Sequence, residues 1–457
     1  MSGFVKLNWR CGGAGRLLAV GLLFAATGAR AGPAAAAPGH NHNPSATNPP
    51  VINQPSPWRP EGPLTVEQAL QRALASDGRI QSLKAAVQVA REQRLAATDL
   101  KDPELQAESR TSGEPENAAG DDFVNSRIKA ALPLPNPWLM VPHVDARGAD
   151  YQAAKADLKA ATWLLKCDVG KLFAQLEYLT NELAFSADLV RLNDEVLTAV
   201  QARAGQGAAT ASDLMTASRQ NVQSQNDFDQ ATHNYQAARR RLASWLDVAP
   251  VSFELATNAA AVPAPPEPDL SFEKALATAV TARSDLAALR WRAQAAMSSY
   301  HEVWNQKIPW IKEVQAGYMD NSVKDSDKYW VGLAVDVPIF AWTKNHAADA
   351  ARAKAQLAGV EATNGLRQVR QELHDALDEL EQTRRQLTRF ETNISPLIAT
   401  MHQTLAALKR TPDVMPEQVA AAELQLVETL LLDLNTRWQY QSALFDLERT
   451  LGAPLDQ

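Results

Sequence analysis

His301-Glu302 opens the zinc-protease pattern, in which two histidines one helical turn apart hold a metal and the glutamate beside the first activates water. Asn305 stands where the second histidine is needed, so the pattern fails. Gly12-Gly13-Ala14-Gly15 has glycines suited to wrapping a phosphate, yet no Lys-Ser/Thr pair follows to bind it. His40 and His42 could hold a borderline metal weakly, but they sit in a Pro-, Ala-, Asn- and Ser-rich tract that reads as a spacer. Cys11 and Cys167 are the two thiols. Cys167 lies in an apolar helical stretch and reads as a buried, unreactive side chain. The chain is therefore not expected to be an enzyme, and no catalytic residue, cofactor or metal site is expected.

The elements that hold these residues begin after a segment to be removed. Lys6, Arg10 and Arg16 precede the short apolar run Leu17 to Ala26, and Ala29-Arg30-Ala31 has the small residues of a cleavage site. Residues 1–31 read as a secretory signal peptide cut before Gly32, and Cys11 leaves with it. With Cys167 then alone, no intramolecular disulfide is possible. Removing Lys6, Arg10, Arg16 and Arg30 leaves 41 Lys+Arg against 52 Asp+Glu, a formal charge of -11. Nucleic acid is not an expected partner, because phosphate binding needs concentrated positive charge. No later apolar run is long enough for a spanning helix, whereas spanning strands would escape a hydropathy scan.

Residues 32–63 hold Pro49-Pro50, Pro55, Pro57, Pro60 and Pro63 and read as an extended N-terminal segment. Beyond it the chain repeats. Leu64, Glu67, Ala69, Leu70, Ala73, Leu74 and Ile80 match Leu270, Glu273, Ala275, Leu276, Ala279, Val280 and Leu286 at a constant offset of 206, as Pro103 matches Pro309. Pro133 and Pro338 match at an offset of 205, as do Tyr235, Leu242 and Leu246 with Tyr440, Leu447 and Leu451. Landmarks in one order with a drift of one residue indicate an internal duplication. The first copy spans residues 64–247 and the second 270–455, joined by a linker at 248–269.

Each copy reads as helix, strand, strand, helix. Leu64 to Leu100 and Leu270 to Lys307 show apolar spacings of three and four, a short helix followed by a longer one. Pro103 and Pro309 close these stretches, since proline lacks the amide a helix needs. Strand hairpins are expected at about 104–132 and 313–338, ended by Pro133 and Pro338. The second is the clearer: Val314, Ala316 and Tyr318, then Val331, Leu333, Val335 and Val337, alternate with polar or small residues around the polar stretch Asp320 to Lys328. Trp138, Trp310, Trp330 and Trp342 cluster near the strand ends, where either interfacial anchoring or ordinary packing would place them.

Leu366, Leu373, Leu380, Leu387, Ile394, Met401 and Leu408 recur every seven residues. Leu165, Leu172 and Leu179 do so in copy one, and Leu424, Leu431, Trp438 and Phe445 in the returning helix. A sustained interval of this kind implies coiled-coil packing, and a helix from about His143 to Arg203 would reach roughly 90 Å. Helical turns are expected at 204–211, where Gly205 and Gly207 relax the backbone, and at 409–416, which carries Pro412 and Pro416 instead. Thr210 and Asp213 suit a capping pair, and Asp413 could cap the helix that starts near Pro416.

This order, together with Leu64-Thr65-Val66-Glu67-Gln68-Ala69-Leu70, Trp330-Val331-Gly332-Leu333 leading to Asp336-Val337-Pro338-Ile339-Phe340, Gly205 through Ala211-Ser212-Asp213-Leu214, and Leu447-Glu448-Arg449-Thr450-Leu451-Gly452, resembles the TolC family of outer-membrane efflux channels. The resemblance covers about Leu64 to Leu455. It implies a mainly α fold with a small β part, in which three chains form a homotrimer and each gives four strands to one twelve-stranded barrel in outer-membrane lipid. The helices would extend into the periplasm. It implies passive conduction in efflux or type I secretion, with a periplasmic adaptor and an inner-membrane pump of the RND or ABC type as partners. It also implies that the helical tips form an aperture, for which Lys409, Arg410, Asp413, Glu417 and Asp213 are candidates. The rival reading is a periplasmic coiled-coil adaptor or scaffold, which would carry one helical hairpin between β-rich domains rather than two in a duplication.

Overall fold

The computed structural model describes residues 62–112, 123–250, 253–255, 271–321, 328–340, 345–410 and 415–455. The expected signal peptide, the glycine cluster, Cys11, His40, His42, most of the linker, Trp342, Pro412 and Asp413 lie outside the described residues. The chain divides into two bodies. One holds the strand residues Glu104–Ala131 and Val314–Ala334, and the other holds the helices.

The strands are β1 (Glu104–Ser112), β2 (Phe123–Pro133), β3 (Trp310–Asn321) and β4 (Lys328–Asp336), which form one sheet in the order β1-β2-β3-β4. β1 and β2 pair antiparallel with Leu105 opposite Ala130, Gln106 opposite Lys129 and Glu108 opposite Arg127. Side chains alternate across a strand, so one face of this hairpin carries Leu105, Ala107, Ile128 and Ala130 and the other carries charge. β4 alternates in exposure along its length.

The helices are α1 (Val66–Ser76), α2 (Gly78–Ala96), α3 (Pro137–Gly205), α4 (Ala211–Leu246), α5 (Phe272–Ala282), α6 (Ser284–Asn305), α7 (His346–Asn393), α8 (Ser395–Leu408) and α9 (Pro416–Leu451). α3 is central, packing against α4, α6 and α9, while α7 packs against α6 and α9. Its 69 residues make it about 100 Å long. It begins earlier than the periodicity suggests, at Pro137, where Asn136 Oδ1 accepts from the Trp138 amide at 3.0 Å. Pro142 lies inside it and cannot donate to the carbonyl four residues back, which belongs to Trp138. Asn305 Nδ2 donates to that carbonyl at 2.7 Å, so the residue that spoiled the zinc pattern satisfies an orphaned acceptor. The seven-residue row runs on through Ile394, but the helix is divided there between α7 and α8, because Pro396 removes an amide and crowds the preceding turn.

Two apolar clusters form the core. The first gathers Ile80, Val169, Leu172, Leu176, Leu242 and Leu246, and the second Leu286, Val369, Leu373, Leu380, Leu447 and Leu451. Leu-to-Ala truncation at such sites costs about 2–5 kcal/mol. The row Leu424, Leu431, Trp438 and Phe445 is only half-buried, although Trp438 stacks on Tyr178 with ring centroids 5.4 Å apart.

Helix ends are closed by the opposite halves of each copy. α1 supplies Arg72 Nε to the Leu246 carbonyl (3.0 Å) and Ser76 Oγ to that of Trp245 (2.7 Å), at the end of α4. In the second copy Arg283 stands at the position of Asp77, and its Nη1 reaches the Thr450 carbonyl at 3.3 Å at the end of α9. After α4 the backbone turns left-handed at Asp247 (φ 53°), and after α9 at Gly452 (φ 72°).

Candidate functional site

The sheet presents two chemically distinct faces. On one, Leu105 is 76 % exposed, Tyr329 81 % and Val331 75 %, with Ile128, Leu132, Leu333, Val335 and Val337 also exposed. Tyr318 and Tyr329 lie together with centroids 5.2 Å apart. Water does not tolerate so continuous an apolar stripe, so it needs lipid or another apolar layer against it. The opposite face carries Gln106, Glu108, Arg127 and Lys129. β1 and β4 are the outer strands, and their free backbone groups need further strands before such a sheet can enter hydrocarbon. Among the described residues no helix is long and apolar enough to cross a membrane.

The tryptophans at the strand ends have different surroundings. Trp138 is exposed, while the indole nitrogen of Trp310 is buried with no hydrogen-bond partner among the described residues. Trp330 lies against Gly317, where a Cβ would come within 2.5 Å of its ring. Packing accounts for its placement.

The α3–α4 turn is held by a network built on Arg203. Gly207 adopts φ 72°, and Ala208 N donates to Arg203 O at 2.8 Å. Thr210 and Asp213 form a capping box: Thr210 N donates to Asp213 Oδ2 at 2.9 Å, and Asp213 N donates to Thr210 Oγ1 at 3.2 Å. Hydrogen bonds from the Thr210 backbone and hydroxyl, with the Arg203 charge, hold the Asp213 carboxyl below its usual range. A depressed carboxyl stabilises the fold above its unfolded pKa, so the box holds at neutral pH and loosens as pH falls through the lower folded value.

Arg203 itself reaches further. Its Nη2 donates to Ala208 O at 3.2 Å, and its Nη1 meets both carboxylate oxygens of Glu417 at 3.0 Å. This ties the end of α3 to the first turn of α9. Lys409 pairs with Glu423, so Lys409 and Glu417 bind other partners rather than each other. Arg410 is exposed at the end of the α8 segment. α9 starts at Pro416, with Met415 at the cap position and no side-chain cap bond. Arg203 and Glu423 carry no local signature, and their importance shows only once α3 and α9 are packed.

The remaining chemistry-bearing residues serve the fold. His143 Nδ1 lies 3.2 Å from both oxygens of Glu302, linking α3 to α6. Among the described residues no group of three His, Cys, Asp or Glu side chains could hold a metal ion. Cys167 is 8 % exposed, and burial, aided by Glu448 and Asp168, pushes its thiol up to about 12. Cys167 in the native protein should therefore resist iodoacetamide at pH 8 and label once the protein is unfolded. Rapid labelling of the native state would contradict this burial.

Arg283 anchors a charge network at the α5–α6 junction. Its side chain is 14 % exposed, and the guanidinium pairs with Asp285 (2.7 Å) and Glu372 (2.6 Å). Burial opposes its charge, but the two carboxylates outweigh that and raise its pKa. Burial raises the Asp285 carboxyl, and the Arg283 hydrogen bonds more than reverse this, leaving it lowered.

No protein-family model matches the chain, and no curated protein matches it. Its fold is shared with solved structures. CusC is 19 % identical with a TM-score of 0.65, over 87 % of this chain and 99 % of that one. The outer membrane protein VceC of Vibrio cholerae is 17 % identical (TM-score 0.64; 86 % and 97 % covered). The open MtrE outer membrane channel of Neisseria gonorrhoeae is 16 % identical (TM-score 0.64; 86 % and 89 % covered). The mainly α chain with a four-stranded antiparallel sheet thus has the fold of a TolC-like protomer.

Proposed function

We propose that the protein is an outer-membrane channel that conducts solutes passively out of the periplasm. It works as a homotrimer with a periplasmic adaptor and an inner-membrane pump of the RND or ABC type, in efflux or type I secretion. The observation that carries this reading is the four-stranded sheet, with one uncovered apolar face and two open edges, in a chain sharing its fold with outer-membrane channels. Four strands cannot close, bacterial barrels need at least eight, and three chains supply twelve. The apolar face meets lipid and the charged face meets water. Export would be directed by residues 1–31. The helical tips form the periplasmic entrance, where the Arg203–Glu417 tie holds the two copies together until partners dock. Energy comes from the pump.

Membrane fractionation tests the reading. The protein should partition with the outer membrane, run as a trimer that dissociates on heating, and produce single-channel currents in planar bilayers. Recovery as a soluble periplasmic monomer would sink it.

A further inference from the structure

The geometry points to a binding platform on the polar face of the sheet: Trp330, with Lys129 beside it, stacks planar aromatic carboxylates. That this face lines a water-filled lumen rests on the channel reading.

Alternation puts Trp330, Gly332 and Ala334 on the face opposite Tyr329, Val331 and Leu333. A large ring fits there because two glycines lie beneath it. A Cβ at Gly317 would come 2.5 Å from Cε2 and Nε1 of the indole, and one at Gly332 would come 3.1 Å from Cζ3. Those atoms are on opposite sides of the six-membered ring. The indole therefore spans both glycines and lies across the two strands instead of standing off them. Its Nε1 is buried, with no hydrogen-bond partner among the described residues, so the polar edge turns toward the backbone. Covering glycine with an aromatic ring is a packing device that uses one face of the ring. Trp330 is only half-buried, so its other π-face is left for a solute.

The charge beside it selects the class of solute. Arg127 has Glu108 opposite it in the β1–β2 register, whereas Lys129 has the neutral Gln106. β3 is the other neighbour of β2, and Leu134 N donates to Lys312 O at 2.9 Å. Carrying that antiparallel pairing along both strands sets Lys129 opposite Gly317, next to the indole. An ammonium group beside an electron-rich ring suits a flat aromatic body with a carboxylate at its edge. It disfavours an organic cation, which the ring alone would attract.

Calorimetric titration of 1-naphthoate into the full-length protein in detergent tests this, with cyclohexanecarboxylate and naphthalen-1-ylmethylammonium as comparison solutes. Naphthoate should bind most tightly. Trp330→Leu should weaken it about tenfold or more and Lys129→Gln about threefold, while Trp330→Phe should keep most of the affinity and controls for folding. Gly317→Ala, which displaces the indole, should weaken binding as Trp330→Leu does. Absence of naphthoate binding to the parent protein, or equal binding by parent and Trp330→Leu, overturns the platform. Tighter binding of the ammonium solute overturns its assigned chemistry. Current recordings separate the two readings. Trp330-dependent binding without current would leave the platform standing and remove the channel, and naphthoate block of the current should disappear in Trp330→Leu.

Discussion

Gly452→Ala should destabilise the protein by roughly 2–5 kcal/mol, read as a lowered denaturation midpoint at unchanged slope. Two effects add. The residue closes α9 at φ 72°, a conformation that costs an L-residue about 1–2 kcal/mol. A Cβ there would also lie 2.8 Å from Arg283 Cγ, 3.1 Å from its Cα and 3.2 Å from its N. Two of those atoms are backbone, so relief requires shifting the α5–α6 junction, and overpacking of that kind costs about 1–3 kcal/mol. The shift would also disturb the pairing of Arg283 with Asp285 and Glu372. Asp247→Gly is the opposite case. The same left-handed turn is made there by a side chain, at φ 53°, so glycine should gain up to about 1 kcal/mol. A Gly452→Ala midpoint within about 0.5 kcal/mol of the parent would refute the close-packed reading of this junction.

On the channel reading, Arg203→Ala and Glu417→Ala should each shift the tips toward the open state by up to about fivefold in open probability or mean conductance. The pair is half-exposed, with side-chain exposures of 44 % and 23 %, which limits it to about 0.2–1 kcal/mol. Such a tie is small for stability but large for an equilibrium between two tip arrangements, since 1.4 kcal/mol is tenfold. The double variant should open no further than either single one, and the charge swap Arg203→Glu with Glu417→Arg should restore much of the parent behaviour. High salt should shrink the difference between parent and variants. Independent, additive effects in planar-bilayer recordings would show that the two residues do not act through one another.

The copies differ where these two predictions fall. Aligning the repeat sets Arg283 against Asp77 and Gly452 against Asp247, so the sequence alone flags a changed junction. In copy one Asp77 caps α2 by accepting from Ile80 N at 2.8 Å. In copy two the arginine trades that cap for an ion-pair network reaching α7 and the end of α9. Which partners it chose was not legible, because Glu372 and Thr450 lie far away in the chain and are brought close only by packing. The same holds for Pro396, whose effect on α7 is a local rule that the strong leucine row obscures.

Elements and their faces follow from the sequence by itself, because turns, caps, proline breaks and seven- or two-residue periods act within a few positions along the chain. The alternating strands, the Thr210–Asp213 box and the failed zinc pattern are all of this kind. Partnerships were decided by the tertiary structure. Arg203 meets Glu417 across 214 residues, Asn305 fills the acceptor that Pro142 leaves on Trp138, and Trp330 lies over Gly317. Each depends on where two packed elements stop relative to one another, and a sequence carries no local term for that distance.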